Sequence, residues 1–276
     1  AITTEISSPV QIPGTQWSSL LQSGYVNSPN GAIKTDGTLW MWGNNEMGGL
    51  GQNEGNIDYS SPIQIPGTWS SGMVASHQVT AIKTDGTMWA WGNNSYGQLG
   101  LNDAILRSSP AQVPGTYWDA LSANYYQRFA KKTDGTLWAW AHGTGGGLGL
   151  NNVTQRSSPT QLPGTWSKLS SGNYTAMMAT KTDGTLWRWG DAASGSGVND
   201  RVDYSSPHQI PGTQWDVPAM SVYNNFCSKT DGTGWVWGNH TSGTLGLNDE
   251  VTRSSPTQLP GTGWIMKPMM ALQNSF

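Results

Sequence analysis

One cysteine, Cys227, occurs in 276 residues. A disulfide framework within the chain is therefore excluded, and so is any metal site built from several thiolates. Charge is scarce as well. Only 11% of the residues are Asp, Glu, Lys or Arg, and the formal net charge is −3. Without a run of Lys and Arg, the chain lacks the basic footprint of a nucleic-acid binder. No apolar run approaches the ~18 residues of a membrane span. No charged-then-apolar leader opens the chain, so no signal peptide is expected in it, although "AITTEISSP" is compatible with a processed end. Amphipathic helical stretches are absent too. Turn formers and tryptophan are abundant, with 36 Gly, 15 Pro and 16 Trp. That many indoles argue against disorder, because disordered chains are poor in aromatic residues.

The tryptophans expose an internal repeat. "KTDGT" begins at Lys34, Lys83, Lys132, Lys181 and Lys229, in steps of 49, 49, 49 and 48 residues. A second block, "SSPxQ(I/V/L)PGT", begins at Ser7, Ser60, Ser108, Ser157, Ser205 and Ser254. One Trp follows each copy of that block: Trp17, Trp69, Trp118, Trp166, Trp215 and Trp264. The other ten form five W-x-W pairs, from Trp40 and Trp42 to Trp235 and Trp237, so every Trp belongs to the repeat.

One unit reads as four short strands. Asp-Gly between apolar alternations is a strong hairpin signal, and a type I′ turn is expected at it. In "TMWAWG", Met88 and Ala90 point to one face and Trp89 and Trp91 to the other, so the sheet is covered on both sides. "SSPAQVPGT" has proline at both ends of an extended piece. Proline cannot donate to a ladder, which places this strand at an edge. "YWDALSA" is the remaining strand. Four strands in about 49 residues, recurring, are the pattern of a propeller blade. A lone unit cannot bury its Trp faces, and stacking the blades does. Both Trp of each pair are expected to act as wedges between neighbouring blades.

"DGTLWMWGNNEMGGLGQ", "DGTMWAWGNNSYGQLGL", "DGTLWAWAHGTGGGLGL" and "DGTGWVWGNHTSGTLGL" resemble the regulator-of-chromosome-condensation repeat, and the resemblance covers nearly the whole chain. It implies a propeller with the W-x-x-L-S strand nearest the axis and the P-x-Q-I-P strand outermost. The fourth unit, "WGDAASGSGVNDRVD", departs from the pattern, and the third has Ala141 where glycine is usual. Members of the family include a nucleotide-exchange factor on chromatin, a plant ultraviolet sensor and a secreted β-lactamase-inhibiting protein. The sensor's Gly-Trp-Arg-His-Thr motif is absent here. The inhibitor is the nearest analogue in size, and it grips its target with aromatic side chains on the loops of one face.

The expected fold is thus a single all-β domain over 1–276: a β-propeller of about 49-residue, four-stranded blades, five full and a split sixth. The outer strand at Ser7–Thr15 and the inner strand in "GWIMKPMMALQNSF" would make the sixth. A five-bladed ring with overhanging ends is the alternative. In a third arrangement the ends pair with another subunit.

Catalytic constellations are missing. The four histidines form no H-x-x-x-H pair, and the "SSP" serines lack a nucleophile's context. Asp36, Asp85, Asp134, Asp183 and Asp231 read as turn residues. Asp103, Asp200 and Asp249 read as Asx-turns, with Arg107 and Arg253 pairing locally. No enzyme, cofactor or metal is expected. What varies is the turn between the inner strand and its neighbour, where residues such as Tyr, His, Asn and Arg suit recognition. The candidate binding residues on this inner-turn face are Tyr25, His77, Tyr125, Tyr126, Arg128, Tyr174, Tyr223 and Asn224. The expected function is recognition of a protein or glycan ligand, in an extracellular or virion-surface setting. Structural assembly through the chain ends, as in a phage decoration or fibre component, is the alternative.

Overall fold

A computed structural model describes residues 10–21, 27–172, 175–192 and 195–264. Twenty strands build five four-stranded antiparallel sheets in chain order. Blade one contains β1 (Trp17–Leu21), β2 (Pro29–Lys34), β3 (Leu39–Gly43) and β4 (Tyr59–Ile65). Blade two contains β5 (Trp69–Ala75), β6 (Gln78–Lys83), β7 (Met88–Gly92) and β8 (Arg107–Val113). Blade three contains β9 (Trp118–Ala123), β10 (Gln127–Lys132), β11 (Leu137–Ala141) and β12 (Arg156–Leu162). Blade four contains β13 (Trp166–Ser171), β14 (Met177–Lys181), β15 (Leu186–Gly190) and β16 (Tyr204–Ile210). Blade five contains β17 (Trp215–Met220), β18 (Asn224–Lys229), β19 (Gly234–Gly238) and β20 (Arg253–Gln258). Successive first strands touch, β1 on β5, β5 on β9, β9 on β13 and β13 on β17. The W-x-x-L-S strand is therefore the inner one. The proline-bearing strand lies at the opposite, outer edge of each sheet, as its missing donor requires.

The hairpin differs from expectation. In Lys83–Thr87 the Gly86 N–H donates to the Lys83 carbonyl and the Lys83 N–H to the Thr87 carbonyl, both at 2.9 Å. Gly86 has φ +78°, whereas Asp85 is not in the left-handed region. This is a three-residue loop: a type I turn closed by a left-handed glycine, not a type I′ turn. Asp85 Oδ1 accepts from both the N–H and the hydroxyl of Thr87, at 2.9 and 2.6 Å. That local ring of bonds gives aspartate its place, and it recurs at Asp36, Asp134, Asp183 and Asp231.

Each interface joins an aliphatic face to an indole face. Leu39, Met41, Leu50 and Ile65 of blade one pack with Trp69, Val79 and Trp91 of blade two. The same pairing repeats between the following blades. The two Trp of a pair have different tasks. Trp91, Trp140, Trp189 and Trp237 are fully buried wedges. Trp89 and its equivalents are half-buried, and their Nε1 donates to the threonine hydroxyl of the hairpin, at 3.0 Å from Trp89 to Thr87. Only the second member of a pair is a wedge in the expected sense, and Trp42 of blade one is half-buried with no preceding blade among the described residues.

Two faces meet no neighbour among the described residues. One is the Trp17 side of blade one, where Leu20 is exposed. The other is the aliphatic side of blade five, with Val236, Leu245 and Leu259. Trp264 sits on the latter, its N–H bonded to the Gly232 carbonyl at 3.0 Å. Trp215 makes the same bond to Gly184 on blade four. Trp264 thus makes the bond by which the first strand of a blade starts elsewhere in the chain. The two segments assigned to a split sixth blade lie, apart from residues 10–15 and 263–264, outside the described residues.

The glycine ending the W-x-W strand has φ of +99°, +96°, +82° and +128° at Gly43, Gly92, Gly190 and Gly238. A Cβ on Gly92 would fall 2.2 Å from the His77 carbonyl oxygen. Blade three carries Ala141 there, at φ +83°. An L-residue held in the left-handed region costs about 1–2 kcal/mol. Ala141→Gly should therefore raise unfolding free energy by about 1 kcal/mol, and Gly92→Ala should lower it by more than that, in urea titrations. A stabilising Gly92→Ala would contradict this account of the turn.

Candidate functional site

Antiparallel order puts two kinds of loop on one edge of every blade. These are the short turns between the first and second strands, such as Ser76–His77, and the long loops between the third and fourth, such as Asn93–Leu106. The Asp-Gly hairpins and the Pro-Gly-Thr linkers occupy the opposite edge. On the turn edge, each long loop lies over the short turn of the next blade. A Cβ on Gly145, for example, would sit 3.0 Å from Thr175 Oγ1.

That overlap assembles an aromatic cluster across blades two and three. Tyr125 and Tyr126, in the short turn of blade three, have ring centroids 4.8 Å apart. Tyr96, from the long loop of blade two, stands edge-on to Tyr126 at 6.3 Å and to His142 at 4.9 Å. His142 lies 5.5 Å from Tyr126 and closes the group. Tyr96 and Tyr125 are 40% and 42% exposed, so the cluster is a surface and not a core. His142 Nδ1 accepts the Thr144 N–H at 3.2 Å, as Asn93 Oδ1 accepts that of Ser95 at 2.9 Å. The imidazole thus does a loop asparagine's work and presents its ring to the tyrosines.

The other sequence candidates are placed differently. Tyr223 is 56% exposed, in the short turn of blade five, apart from this cluster. His77 is half-buried, and its carbonyl holds the Asn93 N–H at 3.1 Å. The amide nitrogen of Asn224 faces the carbonyls of Tyr223 and Asn239, so this side chain braces its turn. Arg128 is only 2% exposed. Its guanidinium donates to Gln78 Oε1 at 2.7 Å and to the carbonyls of Asn124, Gln127 and Ala75. It ties blade three to blade two beneath the surface and does not line it. Tyr25 and Tyr174 lie outside the described residues. Tyr96 and His142 are the members that sequence reasoning left out. Their signal was variation within the long loop: Tyr96 falls where other units have Met47, Gly145, Ser194 and Ser242.

No group of three or more His, Cys, Asp or Glu suited to a metal occurs among the described residues. Asp103 and Asp249 are Asx-turn acceptors that also pair with Arg107 and Arg253, each at 2.6 Å. Asp200 is an Asx-turn acceptor too, for the Val202 N–H at 3.2 Å, and takes the Tyr204 hydroxyl at 2.7 Å where the others pair with arginine. His240 is buried and takes the role of Asn45 and Asn94, its Nδ1 accepting the Leu245 N–H at 2.8 Å. Burial pushes the Cys227 thiol up, which makes it a poor nucleophile.

Hydrogen bonds from the hairpin threonines hold the five hairpin aspartates below the usual value of 3.8. Backbone and side-chain bonds do the same for Asp103, Asp200 and Asp249. A carboxylate with a depressed folded-state pKa stabilises fully above its unfolded value and loses that contribution as pH falls through the folded one. Thermal stability should accordingly be flat from neutral pH to about 5 and decline progressively below about 4, as followed by circular dichroism. A melting temperature that stays level down to pH 2 would refute the carboxylate network.

Comparisons with known proteins agree with this architecture. The model of the regulator of chromosome condensation (RCC1) repeat matches residues 85–117. Human WBSCR16 is similar in structure, with a TM-score of 0.72 and 20% identity over 85% of this chain and 66% of its own. Prp20p from Saccharomyces cerevisiae has a TM-score of 0.67 and 16% identity, over 86% of this chain and 62% of its own. Yeast RCC1 (Prp20) with Kap60 bound to it gives 0.68 and 16%, over 86% and 60%. At such identities the likeness is one of fold, and the chain spans less than two thirds of each of these relatives. No curated protein sequence matches the chain. Residues 85–117 thus match an RCC1 repeat, and the fold is that of the RCC1-like β-propellers.

Proposed function

We propose that the turn face is a recognition surface, centred on Tyr96, Tyr125, Tyr126 and His142, that binds a protein or glycan ligand without chemistry of its own. The observation that carries this reading is the convergence of four exposed or half-exposed rings from three loops of two blades. Rigid rings with polar tips bind at low entropic cost and are enriched at the centres of interfaces. The rings also stand on the segments that vary among repeats, which is where a repeated scaffold carries specificity. Prp20p is described by its binding to Gsp1p and histones, and yeast RCC1 was solved with Kap60. Those precedents favour a protein as the partner class. Low charge with abundant Gly, Ser, Thr and Asn supports an extracellular or virion-surface setting.

A glycan array and a displayed-peptide library should both be screened with the protein and with its Tyr96→Ala/Tyr126→Ala variant. Ligands found with the native protein should bind the variant at least ~10-fold more weakly. The melting temperature should stay nearly unchanged, because both rings are peripheral. Equal binding by a folded variant would refute the site.

A second reading has its own observation. The indole face of blade one and the aliphatic face of blade five, which meet no neighbouring blade among the described residues, are the two halves of the interface that the other blades make with one another. Head-to-tail docking of a second copy would join them and make an assembly protein. Light scattering on the eluting protein separates the readings: a mass near 29.6 kDa favours the free recognition module, and a stable multimer favours assembly.

A further inference from the structure

The opposite edge of the molecule holds a different feature. In every blade the repeat lysine lies between two indoles. Lys229 Nζ is 4.5 Å from the Trp215 ring and 4.8 Å from the Trp235 ring. The same sandwich recurs at Lys34, Lys83, Lys132 and Lys181. Between blades four and five the sandwich opens into a cavity of about 440 Å³, walled by Val198, Pro211, Trp215, Trp235 and Pro256. Among the described residues, Lys229 is the one charged residue that lines it.

Two donors converge in this slot. A Cβ on Gly212 would sit 3.3 Å from Trp215 Nε1 and 3.6 Å from Lys229 Nζ. Trp215 is 3% exposed, and its indole N–H has no acceptor among the described residues. Lys229 makes no ion pair among the described residues. The nearby Asp231 carboxylate is engaged by Thr233. A buried donor without an acceptor is costly, and an ammonium beside it favours an anionic acceptor. The donor pair also recurs at Gly67, Gly115 and Gly164. There the loop carries Gln52, Leu101 or Leu150, and Leu101 and Leu150 pack against the interface. Val198 is a shorter side chain at the same position, in the unit whose loop departs from Gly-Gln-Leu-Gly.

We propose that this slot binds a small planar organic acid. Its carboxylate would take the Lys229 ammonium and the Trp215 N–H, and its flat apolar body would lie against the indoles and prolines. Charge complementarity selects the anion. The indole walls select the flat ring. The volume is that of a small-molecule site. The slot is separate from the tyrosine face, so neither proposal depends on the other.

The test uses indole-3-acetate as probe and its neutral amide as control, by calorimetry and by following the indole N–H resonances. The acid should bind the intact chain saturably and shift the Trp215 N–H most. The amide should bind at least ~10-fold more weakly, as should Val198→Leu, which restores the residue of the sibling loops, and Lys229→Met should follow. Val198→Leu is a conservative change, so it keeps the test decisive if Lys229→Met unfolds. Absence of saturation up to about 10 mM acid, or equal binding of the amide or by Val198→Leu, would overturn the proposal.

Discussion

The structure rests on one contact: the second tryptophan of the W-x-W pair in blades two to five, seated beneath the long loop of the preceding blade. Trp91, Trp140 and Trp189 donate their indole N–H to the carbonyls of Gly49, Gln98 and Gly147, at 2.9, 2.9 and 3.1 Å. The ring fills the gap between sheets, and truncating so large a buried aromatic costs about 3–5 kcal/mol. The loop must come close enough to accept the bond. A Cβ on Gly51, Gly100 or Gly149 would stand 3.0, 3.1 or 2.9 Å from the indole nitrogen, and all three residues have φ near +70°. The Gly-x-Leu-Gly signature is thus the imprint of a neighbouring indole. Where the fourth unit loses it, the Trp237 indole N–H has no partner among the described residues.

The same contact sets the relation between loops. Because each long loop is drawn over the next blade, its variable residue lands on that blade's short turn. Tyr96 and Tyr126 are 30 residues apart in the chain and become neighbours for this reason. Arg128 reinforces the junction from below by holding carbonyls of two blades with one guanidinium. The surface that varies is therefore built on the contacts that do not.

The opposite edge follows a different rule. There the lysine, the hairpin aspartate and the two indoles, one buried and one half-buried, repeat nearly unchanged. Variation enters only through the loop of the blade before, at Gln52, Leu101, Leu150 and Val198. One shorter side chain among these is enough to turn a packed rim into a slot.

Strand order, the outer proline strand, the hairpin positions and the Asx-turns at Asp103, Asp200 and Asp249 were legible in the sequence, because they depend on local rules repeated in register. The positive φ confined to glycine in each hairpin was not, since Asp-Gly serves a two-residue and a three-residue loop equally well. Nor was the division of labour within each Trp pair, which depends on a loop some 40 residues away. Of the inner-turn candidates, Tyr125 and Tyr223 stand exposed and Tyr126 is half-buried, whereas Arg128 is buried. A basic side chain in a turn is indistinguishable, by residue type alone, from one folded under it. The sequence by itself determined the blade, because a blade is made of neighbours along the chain. Only the tertiary structure decided the surface, because Tyr96, Tyr126 and His142 meet through the packing of one blade against the next.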